Sequence, residues 1–447
     1  MKKKIVGIFV VMLLIIGAIP AMGIFVEQKT GSNHDFFNGG WIEEFDNFKI
    51  LHVNGSNYEM GYQQGVLLSD DIGENYRAFL NFTETFFDLD YEFYDWYWNE
   101  LKENVPQEYK DELQGIADGS GIPLINISIL NIMADYYHCC AAAAWGPATS
   151  DGKVIHVRSF DWTANMIDPI TGAHIRENQI IMVRNPDVGF SSLEPTFSGL
   201  IGGPGGINEN GVACGILVSY SWDENNRTHA EGNPVIFRIK EVLDHSSNAE
   251  EAVDIITSSE TSGWNYMISD KEIGYAVEQN LHQSYYGTWD DPVEDTSPFW
   301  SIENVVRRTN IYINPDLAAT QRRFYNPSIF PLISMILKLN PCAYVKGFSA
   351  SVPYMHYSAL SKGLEKLWGD IEIENTMDML RSLYLGRTDF RFFLVKKLGG
   401  VYVALHQWVA CPETGDIAIS FSSLEKNAYE NPVHHFNLYD LLNASPP

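Results

Sequence analysis

Two adjacent cysteines, Cys139 and Cys140, open a stretch that runs through Ala141, Ala142, Ala143 and Ala144, a Trp145-Gly146 pair and a Ser150-Asp151-Gly152 turn to Arg158 and Asp161. These residue types could supply a thiol nucleophile. A nearby guanidinium stabilises the thiolate, and a carboxylate orients the base that takes the proton. Other chemistry suits them less. Adjacent cysteines staple nothing as a disulfide, and a zinc site wants a second ligand pair at a recognisable spacing. A buried, structural cysteine stays open as the alternative. The four alanines either leave room beside the sulfur or let a helix pack closely behind the strand.

The stretch reads as strand, turn, strand. A turn centred between Ser150 and Asp151 would place Cys139 opposite Trp162 and Cys140 opposite Asp161. Side chains alternate faces along a strand, so Arg158 and Asp161 share a face only if a bulge intervenes. Further strand-like runs follow in "HIRENQIIMVRN", "GVACGILVSYSW", "NYMISDKEIGYAVEQN" and "GVYVALHQWVACPETGDIAISFSS". Between them lie helical segments: "NPVIFRIKEVLDHSS", "NAEEAVDIITSS" and "YSALSKGLEKLWGDI". Hairpins alternating with helix pairs predict an α+β protein, with antiparallel sheets covered by helices.

Residues 26–138 read as mostly helical after a short strand at Phe48–Val53. Within them, residues 81–120 carry 11 acidic and 2 basic side chains among 10 aromatics. That mixture predicts helices with one packed aromatic face and one solvated acidic face, the alternative being a lid or acyl-chain channel. Before this segment, three lysines precede an apolar run from Ile5 to about Phe25, with Ala21-Met22-Gly23 as a small-residue cleavage candidate. Residues 1–25 are read as a signal peptide or a membrane anchor, which puts the remainder outside the cytoplasm. Sequons at Asn54, Asn81, Asn126, Asn226 and Asn443 are compatible with glycosylation. A net charge of −27 argues against nucleic acid as a partner.

Several motifs, in order, resemble the acyl-coenzyme A:6-aminopenicillanate acyltransferase-like family of N-terminal-nucleophile cysteine hydrolases. "YEMGYQQG" (Tyr58 to Gly65) is similar to the family's early glycine element, and "ELQGIADGSG" (Glu112 to Gly121) to its glycine-rich helix end. Cys139, Trp145-Gly146, Asp151-Gly152, Arg158 and Asp161 stand in the order of its nucleophile segment. "GGINENG" (Gly205 to Gly211) resembles its Asn-Glu hairpin, and "MISDKEIGYAVEQ" its Glu-bearing strand.

The resemblance implies a four-layer αββα sandwich from Cys139 onward, with the helical segment retained as a cleaved chain. Scission would fall between His138 and Cys139, and the freed α-amine would act as general base for the thiol. Arg158 and Asp161 would position thiol and amine. Asn304, in "WSIENVVRR", is the candidate oxyanion donor. Cys140 stands where the family usually has Ser or Thr, and it remains an alternative nucleophile. Leu217, Val218 or Ser219 stands where related hydrolases have asparagine. The implied function is an exported hydrolase or acyltransferase acting on a small acyl-amide substrate, with no cofactor and no metal. The alternative is a non-catalytic relative serving as a binding or membrane-surface protein, with the cysteine pair buried or oxidised. Nothing in the sequence specifies an oligomer.

Overall fold

The computed structural model describes residues 36–132, 138–163, 165–219, 221, 232–259, 261, 263–321, 352–390, 392–393 and 402–446. The segment read as a signal peptide or anchor lies outside these residues. So does Asn226. Among the described residues no helix is long and apolar enough to cross a membrane.

Three short strands come first: β1 (Phe36–Phe37), β2 (Gly40–Glu44) and β3 (Lys49–Gly55). Five helices follow: α1 (Asn57–Leu67), α2 (Ser69–Phe87), α3 (Tyr91–Leu101), α4 (Gln107–Ser120) and α5 (Leu124–Asn131). Ser56 starts α1 with a capping box to Glu59, and Gly121 ends α4 in the left-handed conformation that glycine adopts without steric cost. The two glycine motifs meet here. A Cβ on Gly61 would lie 2.1 Å from the Glu112 carbonyl oxygen, and one on Gly115 would lie 2.1 Å from that of Tyr58. Gly65 and Gly119 are equally tight one turn on, at 2.5 Å and 2.4 Å from opposing carbonyls. Only backbones without side chains let α1 and α4 approach this closely. In the acidic, aromatic stretch, Tyr94, Tyr97 and Trp98 are buried while Glu92 and Glu100 are exposed, the two-faced pattern its composition predicts.

The remaining strands are β4 (His138–Gly146), β5 (Gly152–Thr163), β6 (Gln179–Pro186), β7 (Ser192–Phe197), β8 (Gly205–Asn208), β9 (Ala213–Val218), β10 (Trp264–Ser269), β11 (Gly274–Gln279), β12 (Ser284–Gly287), β13 (Val305–Arg308), β14 (Tyr402–Ala410), β15 (Asp416–Phe421) and β16 (His434–Asn437). The later helices are α6 (Val235–His245), α7 (Ala249–Thr257), α8 (Pro315–Thr320), α9 (Val352–Leu367), α10 (Ile373–Tyr384) and α11 (Leu438–Leu442). A ten-stranded sheet has the order β1-β2-β3-β6-β7-β8-β9-β10-β11-β12, and a six-stranded sheet the order β13-β4-β5-β14-β15-β16. The N-terminal segment is therefore part of the large sheet, because β3 pairs in parallel with β6 from Lys49↔Ile180 to Gly55↔Pro186.

The layers follow from which side chains cluster. Ile181, Val183, Leu193 and Ile207 of the large sheet pack against Trp408, Ile417, Ile419 and Phe421 of the small one. On the far side of the small sheet, Ala142, Ala144 and Val157 pack against Ala359, Leu360 and Leu364 of α9 and Leu380 and Leu383 of α10. On the far side of the large sheet, Ile180 and Met182 join a cluster with Met60 of α1, Leu113 of α4 and Ile239 and Leu243 of α6. This is an αββα sandwich. Glu112 of α4 adds a charged tie to it, 2.9 Å from Arg184 and 3.3 Å from Lys240, with Asp244 completing a fully enclosed cluster.

Candidate active site

The hairpin that carries the cysteines is offset from the pairing its turn suggests. Cys139 faces Phe160 and Cys140 faces Ser159, while His138 is opposite Asp161. The connection runs from Gly146 to Gly152, and the register shifts between Ala144 and Gly146. Together these move the pairing by two residues. Because the shift is even, the faces survive. Cys139, Ala141 and Ala143 point into the sandwich with Phe160 and Trp162, and Cys140, Ala142 and Ala144 point toward α9 and α10. No irregularity separates Arg158 from Asp161 in the β4–β5 pairing, so these two side chains take opposite faces.

Arg158 therefore comes to Cys139. Its Nη2 donates to Cys139 Sγ at 3.2 Å and to the Ile216 carbonyl, while Nη1 donates to the Ser159 and Cys140 carbonyls. Among the described residues no carboxylate forms a salt bridge with this fully buried guanidinium. A thiolate on Cys139 would be its counter-ion. The stretch "GVACGILV" makes the contact possible at Gly215, where a Cβ would stand 2.7 Å from Arg158 Cδ. Burial raises the Cys139 thiol above its ordinary range, and the nearby Asp161 adds to that. The Arg158 charge and the Arg158 and Asp161 hydrogen bonds pull the other way. Burial dominates, so the thiol is held protonated. Cys140 is pushed well up by burial and lacks the direct guanidinium contact.

The second partner of Cys139 is Asn310. Its Oδ1 accepts from the Cys139 N–H at 2.7 Å, and its Nδ2 donates to the Val218 carbonyl at 2.8 Å. A backbone N–H can only donate and a carbonyl can only accept, so the amide has one possible orientation. Asn310 reaches the Cys139 main chain because β13 pairs with β4 as far as Arg308↔Ala141, and the chain continues alongside Cys139. Asn265 Nδ2 pins it on both sides, donating to the Thr309 and Ile311 carbonyls at 2.8 and 2.9 Å. Glu278, on the Glu-bearing strand, accepts from the Ile313 and Asn314 N–H groups and from Arg308 Nε. Arg308 is also paired with Glu294. These two carboxylates enclose its charge, while Arg307 donates to Ser361 and the Trp300 carbonyl.

Asn304 is not beside the thiol. Its carbonyl accepts from the Trp145 N–H at the opposite end of β4, next to Val305↔Ala144. Six strand steps, roughly 20 Å, separate Trp145 from Cys139. His156 is similarly remote, opposite Ala143, with its Nδ1 on Ser269 Oγ. Ser219 is buried and contacts Gln321 Nε2 rather than the thiol. The four described cysteines are free, and Cys139 and Cys140 project from opposite faces of one strand, which keeps their sulfurs apart.

Asp161 lies behind the strand. Its Oδ1 accepts from Ser159 Oγ at 2.9 Å and its Oδ2 from the Tyr384 hydroxyl at 2.6 Å. Sequence reasoning missed Asn310, Asn265, Gly215 and Tyr384. For Asn310 a signal existed: it lies two residues beyond Arg307-Arg308, an apolar strand's charged end.

Residues 148–360 match the family described as acyl-coenzyme A:6-aminopenicillanic acid acyl-transferase. The matched span includes Arg158, Asp161 and Asn310 and begins after the cysteine pair. An uncharacterized protein of Archaeoglobus fulgidus is 23% identical over 63% of this chain and 53% of its own length. Protein dcd1B of Dictyostelium discoideum is 26% identical over 48% of this chain and 46% of its own. The chain thus spans about half the length of these two relatives. Among solved structures, penicillin V acylase from Agrobacterium tumefaciens is similar at 12% identity, covering 68% of this chain and 88% of that one with a TM-score of 0.38. The Caenorhabditis elegans ortholog of N-acylethanolamine-hydrolyzing acid amidase is similar at 14% identity, covering 61% and 93% with a TM-score of 0.36.

Proposed function

We propose that the protein is an exported cysteine hydrolase or acyltransferase that cuts its own chain between His138 and Cys139 and then acts on the acyl–amine bond of small linear amides. The observation that carries this reading is the pair of contacts on one residue: Arg158 on the sulfur at 3.2 Å and Asn310 on the backbone nitrogen at 2.7 Å. A structural cysteine needs neither.

In the uncut chain the thiol of Cys139 attacks the His138 carbonyl, and the peptide nitrogen leaves as an amine. Water then hydrolyses the thioester, giving a carboxylate on His138 and a free α-amine on Cys139. That amine now takes the thiol proton, and the thiolate meets Arg158. The thiolate adds to the substrate carbonyl, and the amine product departs with the proton. Water, or a second amine, releases the acyl group from sulfur. Asn310 Oδ1 keeps the new α-amine next to the sulfur, and Asp161, opposite the vacated His138 position, steadies its ammonium form. No step calls for a metal or cofactor.

Intact mass and N-terminal sequencing of the purified protein, beside a Cys139→Ala variant, test the reading. A chain that begins at Cys139 in the native protein and is absent in the variant is expected. A native protein that stays whole, and releases no amine from a panel of N-acyl amides, would sink it.

A further inference from the structure

Asp161 is held from the side of the sheet that faces away from Cys139. Tyr384 closes α10, and its hydroxyl contacts Asp161 Oδ2 at 2.6 Å, Ser159 Oγ at 2.8 Å and His356 Nε2 at 3.3 Å. Gln407 Nε2 donates to Ser159 Oγ at 3.0 Å, so the second hydroxyl on the carboxylate is itself fixed. The Tyr384 ring is clamped as firmly, stacked on Tyr429 at 5.3 Å and set edge-on to Phe392 and His356, both at 5.7 Å. His356 in turn stacks on Phe392 at 4.3 Å. Asp161, Ser159, Tyr384, His356 and Gln407 are all at most 4% exposed. A carboxylate enclosed this way stays an acceptor only because donors meet it.

The backbone of Asp161 looks the other way. It runs beside Cys139, because Phe160 pairs with Cys139 and Asp161 with His138 on the neighbouring strand, and its N–H is a hydrogen-bonding group that favours the Cys139 thiolate. One residue thus acts on the sulfur with its main chain and meets α10 with its side chain. We propose that Tyr384 is a positioning residue for the reaction at Cys139, acting through Asp161: the hydroxyl fixes the carboxylate behind the strand, and so fixes the main chain in front of it. This rests on the thiol-nucleophile reading. It makes the outer helical layer, more than 200 residues downstream of the thiol, part of the site's geometry.

The test compares Tyr384→Phe with the wild-type protein in the same two assays: appearance of the chain beginning at Cys139, and kcat and KM for an N-acyl amide across pH. Phenylalanine keeps the ring contacts and removes the one hydroxyl. Self-cutting and kcat are expected to fall about ten-fold, with KM and melting temperature little changed. The acid limb of kcat is expected to move to higher pH, because a carboxylate that loses a donor holds its proton more tightly. Among the described side chains, the titratable groups around Asp161 include Cys139 and Cys140 from β4, Arg158 from β5, His356 from α9, Tyr384 from α10 and Tyr429 beyond β15. All are unchanged in the variant except Tyr384. Ser159→Ala removes the other hydroxyl, is expected to shift the same quantities in the same direction, and carries the test if Tyr384→Phe does not fold. Wild-type kcat and pH profile in either folded variant overturns the positioning role alone. A wild-type protein that neither cuts nor hydrolyses overturns the nucleophile reading and the positioning role with it.

Discussion

Replacing Gly215 by alanine perturbs the site by one carbon atom at a known place. The glycine is not in a left-handed conformation, so alanine fits the backbone, and the effect comes from the Cβ alone. That Cβ would stand 2.7 Å from Arg158 Cδ and 2.9 Å from its Nε, where ordinary contact begins at 3.4 Å. The side chain must therefore retreat by about 0.7 Å. The guanidinium is held by carbonyls of Ile216, Ser159 and Cys140, so the displacement falls largely on its 3.2 Å contact with Cys139 Sγ. Misplacing a reacting group by about 1 Å typically costs up to 10²-fold in rate, and overpacking a tight site costs ~1–3 kcal/mol of stability. On the proposed function, Gly215→Ala should cut itself at Cys139 about 10- to 100-fold more slowly than wild type, while still melting cooperatively. Weakening the guanidinium contact raises the thiol further, so iodoacetamide labelling of Cys139 should need higher pH. A folded Gly215→Ala protein that cuts and labels like wild type would show that the Arg158 contact is not what activates the sulfur.

Four other changes give separate outcomes. Asn310→Ala leaves the buried Cys139 N–H without its acceptor; it should destabilise the fold by about 1–3 kcal/mol in chemical denaturation and slow self-cutting at least as much as Gly215→Ala. Gly115→Val drives a branched side chain into the Tyr58 carbonyl, and the α1–α4 contact should fail, leaving little soluble protein at 37 °C. Arg184→Met strips one of the two cations shared by Glu112 and Asp244 and leaves Lys240 alone between them, which should cost about 3 kcal/mol in denaturant unfolding. Burial holds His156 down to about 3 and His52 down to about 4, so each is neutral when folded and charges on unfolding below its unfolded value of 6.5. The unfolded state then binds more protons, and stability should fall as pH drops from about 6.5 toward 4, by roughly 1.4 kcal/mol per pH unit for each group. Thermal melts of wild type and His52→Gln across that interval should differ in slope.

The pieces legible in the sequence are those whose information is local. The Cys139–Asp161 hairpin announces itself by its turn and strands, and strand alternation already separates Arg158 from Asp161. The glycine spacings in α1 and α4 are visible as motifs, yet their reason, two backbones in contact, appears only when the helices are side by side. Asn304 and Asn310 differ by six positions in the sequence. Which of them reaches Cys139 depends on where β13 starts pairing with β4, a long-range register that no local pattern encodes. Tyr384 was harder still, for it looks like one more apolar residue at the end of an amphipathic helix. The short β1 and β2 also escaped the helical reading of residues 26–138, because strands this brief leave too few positions for alternation to show.

The alternation along β4 has a further consequence. The two thiols are identical in chemistry, and what assigns one to Arg158 and the other to the helices is parity. One residue inserted between Cys140 and Ala141 would seat Cys140 against the guanidinium and carry Cys139 to the next position out. The chain holds a spare for that seat, already in line. An evolutionary step that in most strands would empty the place beside a buried guanidinium would here refill it with a second thiol.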